Sequence, residues 1–360
     1  MKATTRNFSF TGLASLGVTS LLAACGSPPQ SGGGTNGQAA GKFVPCMVSD
    51  SGGFDDKSFN QLGYEGLKSA ADKLVTTPHA IQSKSESDFA PNLTNLVAQN
   101  CGIIVTVGFL LADATKASAA ANPKTKYATI DDKTVILPNV KPIIYDAAQA
   151  AFLAGYAAAS YSKSGVVGTF GGMQLPTVTV FMDGYASGVA YYNTMKGAKV
   201  KVVGWDVASQ TGSFTGGFAA GVEAKSAARS LIDQNADVIM PVGGPIFQSA
   251  GQAIRDSGRG IALIGVDSDN YLTAPDLKDL FLTTVEKDIS VSVAEVVGAA
   301  AADKFDNTPY VGTLKNHGVG IAPFHDFASK VNPSLQGELD TINAGIIDGS
   351  IRATSVSSPT

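Results

Sequence analysis

From Phe43 almost to the C-terminus, short apolar runs alternate with longer segments of helical periodicity, and this alternation constrains the fold more than any other feature. The spacing predicts strands over 43–49, 102–107, 127–130, 142–145, 166–170, 199–204, 238–242, 261–266 and 280–285. It predicts helices over 58–74, 88–99, 110–121, 146–161, 176–193, 216–234, 246–256 and 289–304. Strand, crossover helix and next strand make the βαβ unit, so the chain reads as α/β with helix-covered parallel sheets. A chain of 360 residues has room for about two domains. Two parallel sheets with a cleft between them is the economical arrangement, and it implies a hinged, two-lobed body. Periodicity alone does not show where the chain crosses from one lobe to the other.

The first strand-to-helix turn is unusually rich in chemistry. It reads Val48-Ser-Asp-Ser-Gly-Gly-Phe-Asp-Asp-Lys-Ser-Phe-Asn60. Ser58 and Gln61 have capping-box spacing, which places the helix start near Ser58. Asp50, Gly52, Gly53, Asp55, Asp56 and Phe59 then crowd a turn beyond the carboxyl end of a strand, where open α/β sheets bind ligands. Other predicted strand ends carry similar groups: Asp131 and Asp132, Gly243 and Gly244, Asp267 with Asp269 and Tyr271, and Lys287. Phe214 lies in a polar loop, Gln-Thr-Gly-Ser-Phe-Thr-Gly, after the strand that ends near Gly204. Each has a plainer reading: Asp50, Asp131 and Asp267 as helix caps, Phe59 as a first core residue, Lys287 as a surface cation. Trp205, the one tryptophan, reads as packing between layers, and His79, His317 and His325 have no evident partner.

Composition excludes several classes. The net charge is −4 with no basic block, which argues against a nucleic-acid partner. Three histidines and three cysteines, with no His-x-x-x-His or Cys-x-x-Cys, leave little for a metal site. No Gly-x-Ser-x-Gly elbow and no P-loop occurs, so no catalytic constellation is expected. The acids at 50, 55 and 56 prompt comparison with the calcium-holding Asp-x-Asp-x-Gly-x-Asp-Asp pattern of nucleoside hydrolases, but residue 48 is Val and the glycine spacing differs.

The N-terminus reads as a leader. Lys2 and Arg6 precede an apolar stretch over 8–22, too short and interrupted for a membrane span. Leu22-Ala-Ala-Cys25 resembles a bacterial lipobox, which implies a signal peptide over 1–24 and a lipid on Cys25; an ordinary secretory signal is the alternative. Residues 25–41 are small and polar and read as a flexible tether. The resulting protein would face the extracytoplasmic side, held to the cell membrane by lipid, where disulfides are permitted. Cys46 and Cys101 each begin a predicted strand. They can bridge if those strands are neighbours; otherwise they are two small buried side chains.

The string Asp50-Ser-Gly-Gly-Phe-Asp-Asp-Lys-Ser-Phe-Asn-Gln-x-x-Tyr-Glu-Gly-Leu resembles the signature of the basic membrane protein (BMP) family, lipoprotein substrate-binding proteins of ABC importers, several of which bind purine nucleosides. Phe152-Leu-Ala-Gly-Tyr, Val167-Gly-Thr-Phe-Gly-Gly-Met, Ala236-Asp-Val-Ile and Gly265-Val-Asp-Ser-Asp follow in the family's order. The resemblance implies a type I periplasmic-binding fold: two lobes, each a central parallel sheet flanked by helices, joined by a three-crossover hinge. Lobe 1 would hold 42–145 and 272–305, lobe 2 146–271 and 306–360. It also implies site roles: Phe59 and Phe214 as rings that sandwich the base, Asp50 and Asp56 at the base edge, and Asp131, Asp267 and Lys287 on the ribose hydroxyls. The backbone near Gly243 or Gly244 would close the site. A monomer is expected, with an ABC permease as partner and no cofactor. The alternatives are a binder of a sugar or free base, a calcium-dependent hydrolase, and a surface receptor or adhesin of the same fold. Pro241-Val-Gly-Gly-Pro-Ile-Phe247 departs from the commoner Gly-rich turn, so Phe247 puts the local pocket shape in question.

Overall fold

The structure, a computed structural model, describes residues 43–359. The expected leader, the tether and Cys25 lie outside the described residues. The strands are β1 (Pro45–Ser49), β2 (His79–Gln82), β3 (Ile103–Val107), β4 (Lys126–Ile130), β5 (Val140–Tyr145), β6 (Val166–Gly171), β7 (Lys201–Val203), β8 (Trp205–Asp206), β9 (Thr211–Gly212), β10 (Val238–Val242), β11 (Ala262–Asp267), β12 (Phe281–Lys287), β13 (Tyr310–Gly312) and β14 (Val319–Ile321). The helices are α1 (Phe59–Lys73), α2 (Phe89–Ala98), α3 (Ala112–Ala121), α4 (Ala147–Tyr161), α5 (Pro176–Lys196), α6 (Val222–Asp233), α7 (Ile246–Ser257), α8 (Asn270–Thr273), α9 (Ile289–Ala301) and α10 (Leu335–Asp348).

The strands form two six-stranded sheets, ordered β13-β5-β4-β3-β1-β2 and β14-β12-β11-β10-β6-β7. Every pairing in the first is parallel. In the second, only the edge strand β14 runs antiparallel, against β12. All residues of β1, β3, β10 and β11 are buried, as expected of strands covered by helices on both faces. That double burial is why they appear in the sequence as continuous apolar runs.

The expected lobe boundaries need correction. β12 lies beside β11 in the second sheet, not in the first, because its register continues from Ile264↔Thr283 to Asp267↔Glu286. Only the following helix, α9, returns to the first body, where it packs on α1: a Cβ on Gly66 would meet the Ser290 carbonyl at 2.4 Å. β13 likewise joins β5 in the first sheet, outside the range expected there. The chain therefore passes between sheets after β5, after β12 and between β13 and β14.

Two features tie elements together within the lobes. Helix α4 is buried on nearly all sides and lies almost backbone to backbone with α5. A Cβ on Gly155 would stand 2.0 Å from the Tyr185 carbonyl oxygen, and one on Gly188 2.0 Å from that of Phe152. In the first sheet β1 and β3 are neighbours, and Cys46 and Cys101 are bridged by a disulfide with a Cα–Cα distance of 5.9 Å.

Candidate functional site

The carboxyl ends of β1, β4, β10, β11 and β12 converge on one cleft between the two sheets. Asp50, Asp56, Phe59, Asp131, Gly243, Gly244, Asp267 and Lys287 all line it. Strand ends of a doubly wound sheet are where ligands bind, and here two sheets present theirs to each other.

The turn after β1 builds one end. Asp56 accepts hydrogen bonds from the backbone N–H groups of Ser58 (2.9 Å), Asn60 (2.9 Å) and Gln61 (3.0 Å), so its carboxylate caps α1. The helix starts where expected, with Ser58 at the N-cap position, but the Ser58 side chain makes no capping hydrogen bond. The Ser58 hydroxyl instead crosses the cleft to the Val266 carbonyl (2.9 Å) and the Asp267 carboxylate (3.1 Å). Next to it, the Lys57 carbonyl accepts from the hydroxyls of Ser268 and Thr273, each at 2.8 Å. A loop of the first lobe is thus latched to the second. The Asn60 amide donates to Asp50 (2.8 Å) and Asp56 (3.1 Å). Its own oxygen, Oδ1, is buried without a hydrogen bond. Asp50 Oδ1 also accepts from Gly52 N–H (2.9 Å), and burial pushes the Asp50 carboxyl up to about 6. Asp56 is raised by burial too, against the pull of its capping hydrogen bonds.

Three groups from both lobes meet at the other end. Lys287 Nζ lies 2.6 Å from Asp131 and 3.4 Å from Asp267. Burial opposes its charge, but the two carboxylates outweigh that and hold its pKa above the ordinary lysine value. The rings of Phe181, Phe59 and Tyr145 stand 4.8, 5.3 and 5.6 Å from the same ammonium, within cation–π range. Both aspartates have left-handed backbone, φ 59° at Asp131 and 72° at Asp267. Such strain in a non-glycine residue costs about 1–3 kcal/mol and collects at ligand clamps. Asp131, rather than Asp132, faces the cleft: Asp132 turns back to accept from Thr134 N–H (2.8 Å) and its hydroxyl (2.6 Å).

Several expectations change here. Phe214 does not line the cleft. Its backbone bridges to Gly171 and its ring packs edge-on against Trp205, with centroids 5.9 Å apart. The ring that faces the cleft from this loop is Phe218, four residues on, which lies against Gly172 and Gly243. Phe247 points away from the cleft into the core against Phe281, so it leaves the pocket shape alone. Trp205 is buried and donates to Asp183 (2.9 Å). Asp269 and Tyr271 lie away from the cleft, where His325 is 2.8 Å from Asp269 and stacks on Tyr271 at 4.0 Å. Sequence reasoning also missed Asn60, Phe109 and Phe181. Phe109 follows strand β3 and Gly108, the same strand-end signal that marked the others; Phe181 sits in an apolar helix and carries no such mark. Among the described residues, no group of three or more His, Cys, Asp or Glu side chains is arranged to hold a metal ion. None of the described helices is long and apolar enough to cross a membrane.

The cleft offers aromatic walls together with carboxylates, an ammonium and an amide oxygen for hydrogen bonding. The family described as "ABC transporter substrate-binding protein PnrA-like" matches residues 43–348. The chain is 28% identical to the "ABC transporter nucleoside-binding protein BmpA" of Lactococcus lactis, over 94% of this chain and 96% of that protein. It is also 28% identical to "Basic membrane protein A" of Borreliella burgdorferi, over 83% of this chain and 84% of that protein. Among solved structures, an ABC transporter solute-binding protein of Aeropyrum pernix superposes with a TM-score of 0.76 at 23% identity, over 86% of this chain and 92% of that one.

Proposed function

The chain belongs to the family of PnrA-like ABC transporter substrate-binding proteins, and on that premise we propose that it captures a purine nucleoside in its cleft and delivers it to an ABC permease. The observation that carries this reading is the order of groups across the cleft. Phe59 lies between the acceptors Asp50 and Asn60 and the Asp131–Lys287–Asp267 cluster: Gly108 packs against both Asp50 and the Phe59 ring, and Lys287 Nζ is 5.3 Å from that ring. Phe181 and Phe218 line the cleft too. A heterocycle between rings gains roughly 1–3 kcal/mol per base whatever its identity. Choice among bases then falls to Asp50 and the unpaired Asn60 oxygen, because a buried polar group left unmatched costs about 1–3 kcal/mol.

In this reading the ribose hydroxyls take the far cluster, donating to Asp131 and Asp267 and accepting from Lys287. Phe218 takes the wall position that the resemblance gave to Phe214. Asp56 acts through the helix it caps, since its oxygens are already engaged. The ligand touches both lobes, binds the closed form better and shifts the population toward it. The permease reads that form. We further propose that Cys25 carries the lipid that keeps the protein at the membrane, and that the protein works as a monomer without catalysis.

The test is titration calorimetry with nucleosides, free bases, pentoses and hexoses. Saturable binding of purine nucleosides, with free bases weaker and sugars silent, is expected. Tight binding of a free sugar with silence toward nucleosides would overturn the ligand assignment. Release of free base from a bound nucleoside would overturn the absence of catalysis.

A further inference from the structure

The cleft adjoins a second compartment. The two share Phe109, Asp131, Thr177 and Lys287, so the connection lies at the sugar end, away from Asp50 and Asn60. The compartment's own walls are largely apolar, with Ile144, Tyr145, Pro176, Val180 and Pro359, and Lys133, Thr134 and Ser357 add polar groups. Its back is the C-terminal segment, pinned by three side-chain hydrogen bonds. Ser355 donates to Asp183, Ser357 pairs with Thr179 at 2.8 Å, and Ser358 donates to Asp146 at 2.8 Å. The tail is therefore a built wall.

Resting on the nucleoside reading, we propose that this compartment receives a small apolar substituent at the 5′ position of the sugar, so that the cargo includes 5′-thioether nucleosides. If Asp131, Asp267 and Lys287 hold the vicinal hydroxyls, C5′ is the sugar position left to carry a group onward. The walls select what that group is. Lys287 is already paired with Asp131 and Asp267, and Lys133 sits on the exposed loop, so a 5′-phosphate would lose its hydration against mostly apolar walls. An alkylthio group carries no charge and gains from the apolar walls.

The experiment is calorimetry on the full chain with adenosine, 5′-deoxy-5′-methylthioadenosine and adenosine 5′-monophosphate. We expect the thioether to bind on the order of five-fold tighter than adenosine, as burial of one to two methylene equivalents predicts, and the nucleotide to bind more weakly than either. Ser357→Trp fills the compartment from the tail, and Thr134→Trp fills it from the exposed loop of the other lobe. Each should leave adenosine affinity in place and erase the preference for the thioether. A wild-type chain that binds adenosine but prefers the nucleotide, or binds the thioether no better than adenosine, overturns the compartment while the nucleoside reading stands. Loss of the preference in neither tryptophan variant overturns it too. A chain that binds none of the three loses both readings.

Discussion

If Asp50 meets the base edge as proposed, nucleoside binding weakens in acid. Its carboxyl is pushed up to about 6 because burial penalises the charged form more than the hydrogen bonds from Gly52 N–H and the Asn60 amide support it. An Asp50 carboxylate that accepts an N–H from the base edge binds in its ionised form. Apparent affinity then follows the ionised fraction of the empty protein. At pH 5, one unit below the midpoint, that fraction is about one eleventh, so the dissociation constant should rise about ten-fold over its value at pH 8. Between pH 7 and 8 it should stay flat. Calorimetry in buffers of matched ionic strength measures this directly, and proton release on binding near pH 6, seen as a dependence of enthalpy on buffer, checks the linkage. Asp50→Asn should bind more weakly throughout and lose the slope. Stability runs the opposite way. A carboxyl raised in the fold contributes most below its unfolded value, near 4, and that contribution is lost as the pH rises through about 6. Acid therefore favours this group in the empty protein while it weakens binding. A wild-type affinity independent of pH from 5 to 8 would refute the assignment of Asp50 to the base edge.

Four other outcomes follow from named contacts. Phe218→Ala should weaken nucleoside binding by roughly 1–3 kcal/mol with little change in unfolding midpoint. Phe214→Ala should do the reverse, since its ring packs on Trp205; calorimetry and thermal melts on the pair separate the two. Lys287→Met should cost roughly ten- to hundred-fold in affinity for ribonucleosides, as loss of a charged hydrogen bond does, and less for free bases. Replacing Cys46 and Cys101 with alanine opens a loop with a sequence separation of 55 and should lower unfolding free energy by about 4 kcal/mol in the chain-entropy account, read from denaturant melts. Gly188→Val should part α4 from α5, because a Cβ there stands 2.0 Å from a backbone oxygen; retention of the wild-type melting temperature would contradict that packing.

The paired sheets were legible because their strands are buried on both faces and bounded by glycines and acids. The edges were not. β13 and β14 are three residues each, and β2, His-Ala-Ile-Gln, is half exposed, so none gives a continuous apolar run. The placement of β12 was misread for a different reason: a strand's own pattern does not say which sheet it joins. Asp50, Asp131, Asp267 and Lys287 stood out as charges at the ends of apolar runs. Phe214 and Phe218 share one glycine-rich loop, and nothing in their spacing shows which ring faces inward; the bridge from Gly171 to Phe214 decides it. Ser58 marks the helix start as expected, but Asp56, two residues earlier, takes the first-turn N–H groups that a capping serine would meet.

Lys287 and Asp267 come from the second sheet, whereas Asp131 comes from the first. Bringing the lobes together therefore places two carboxylates and one ammonium in a space that excludes water. An empty cleft that shuts is left with an unmatched negative charge, a state that burial makes expensive. On the nucleoside reading, a sugar with two free hydroxyls would supply the missing donors and offset that penalty. The cluster would then act as a cargo check, discouraging the vacant protein from assuming the closed shape and sparing the transporter futile cycles of ATP hydrolysis.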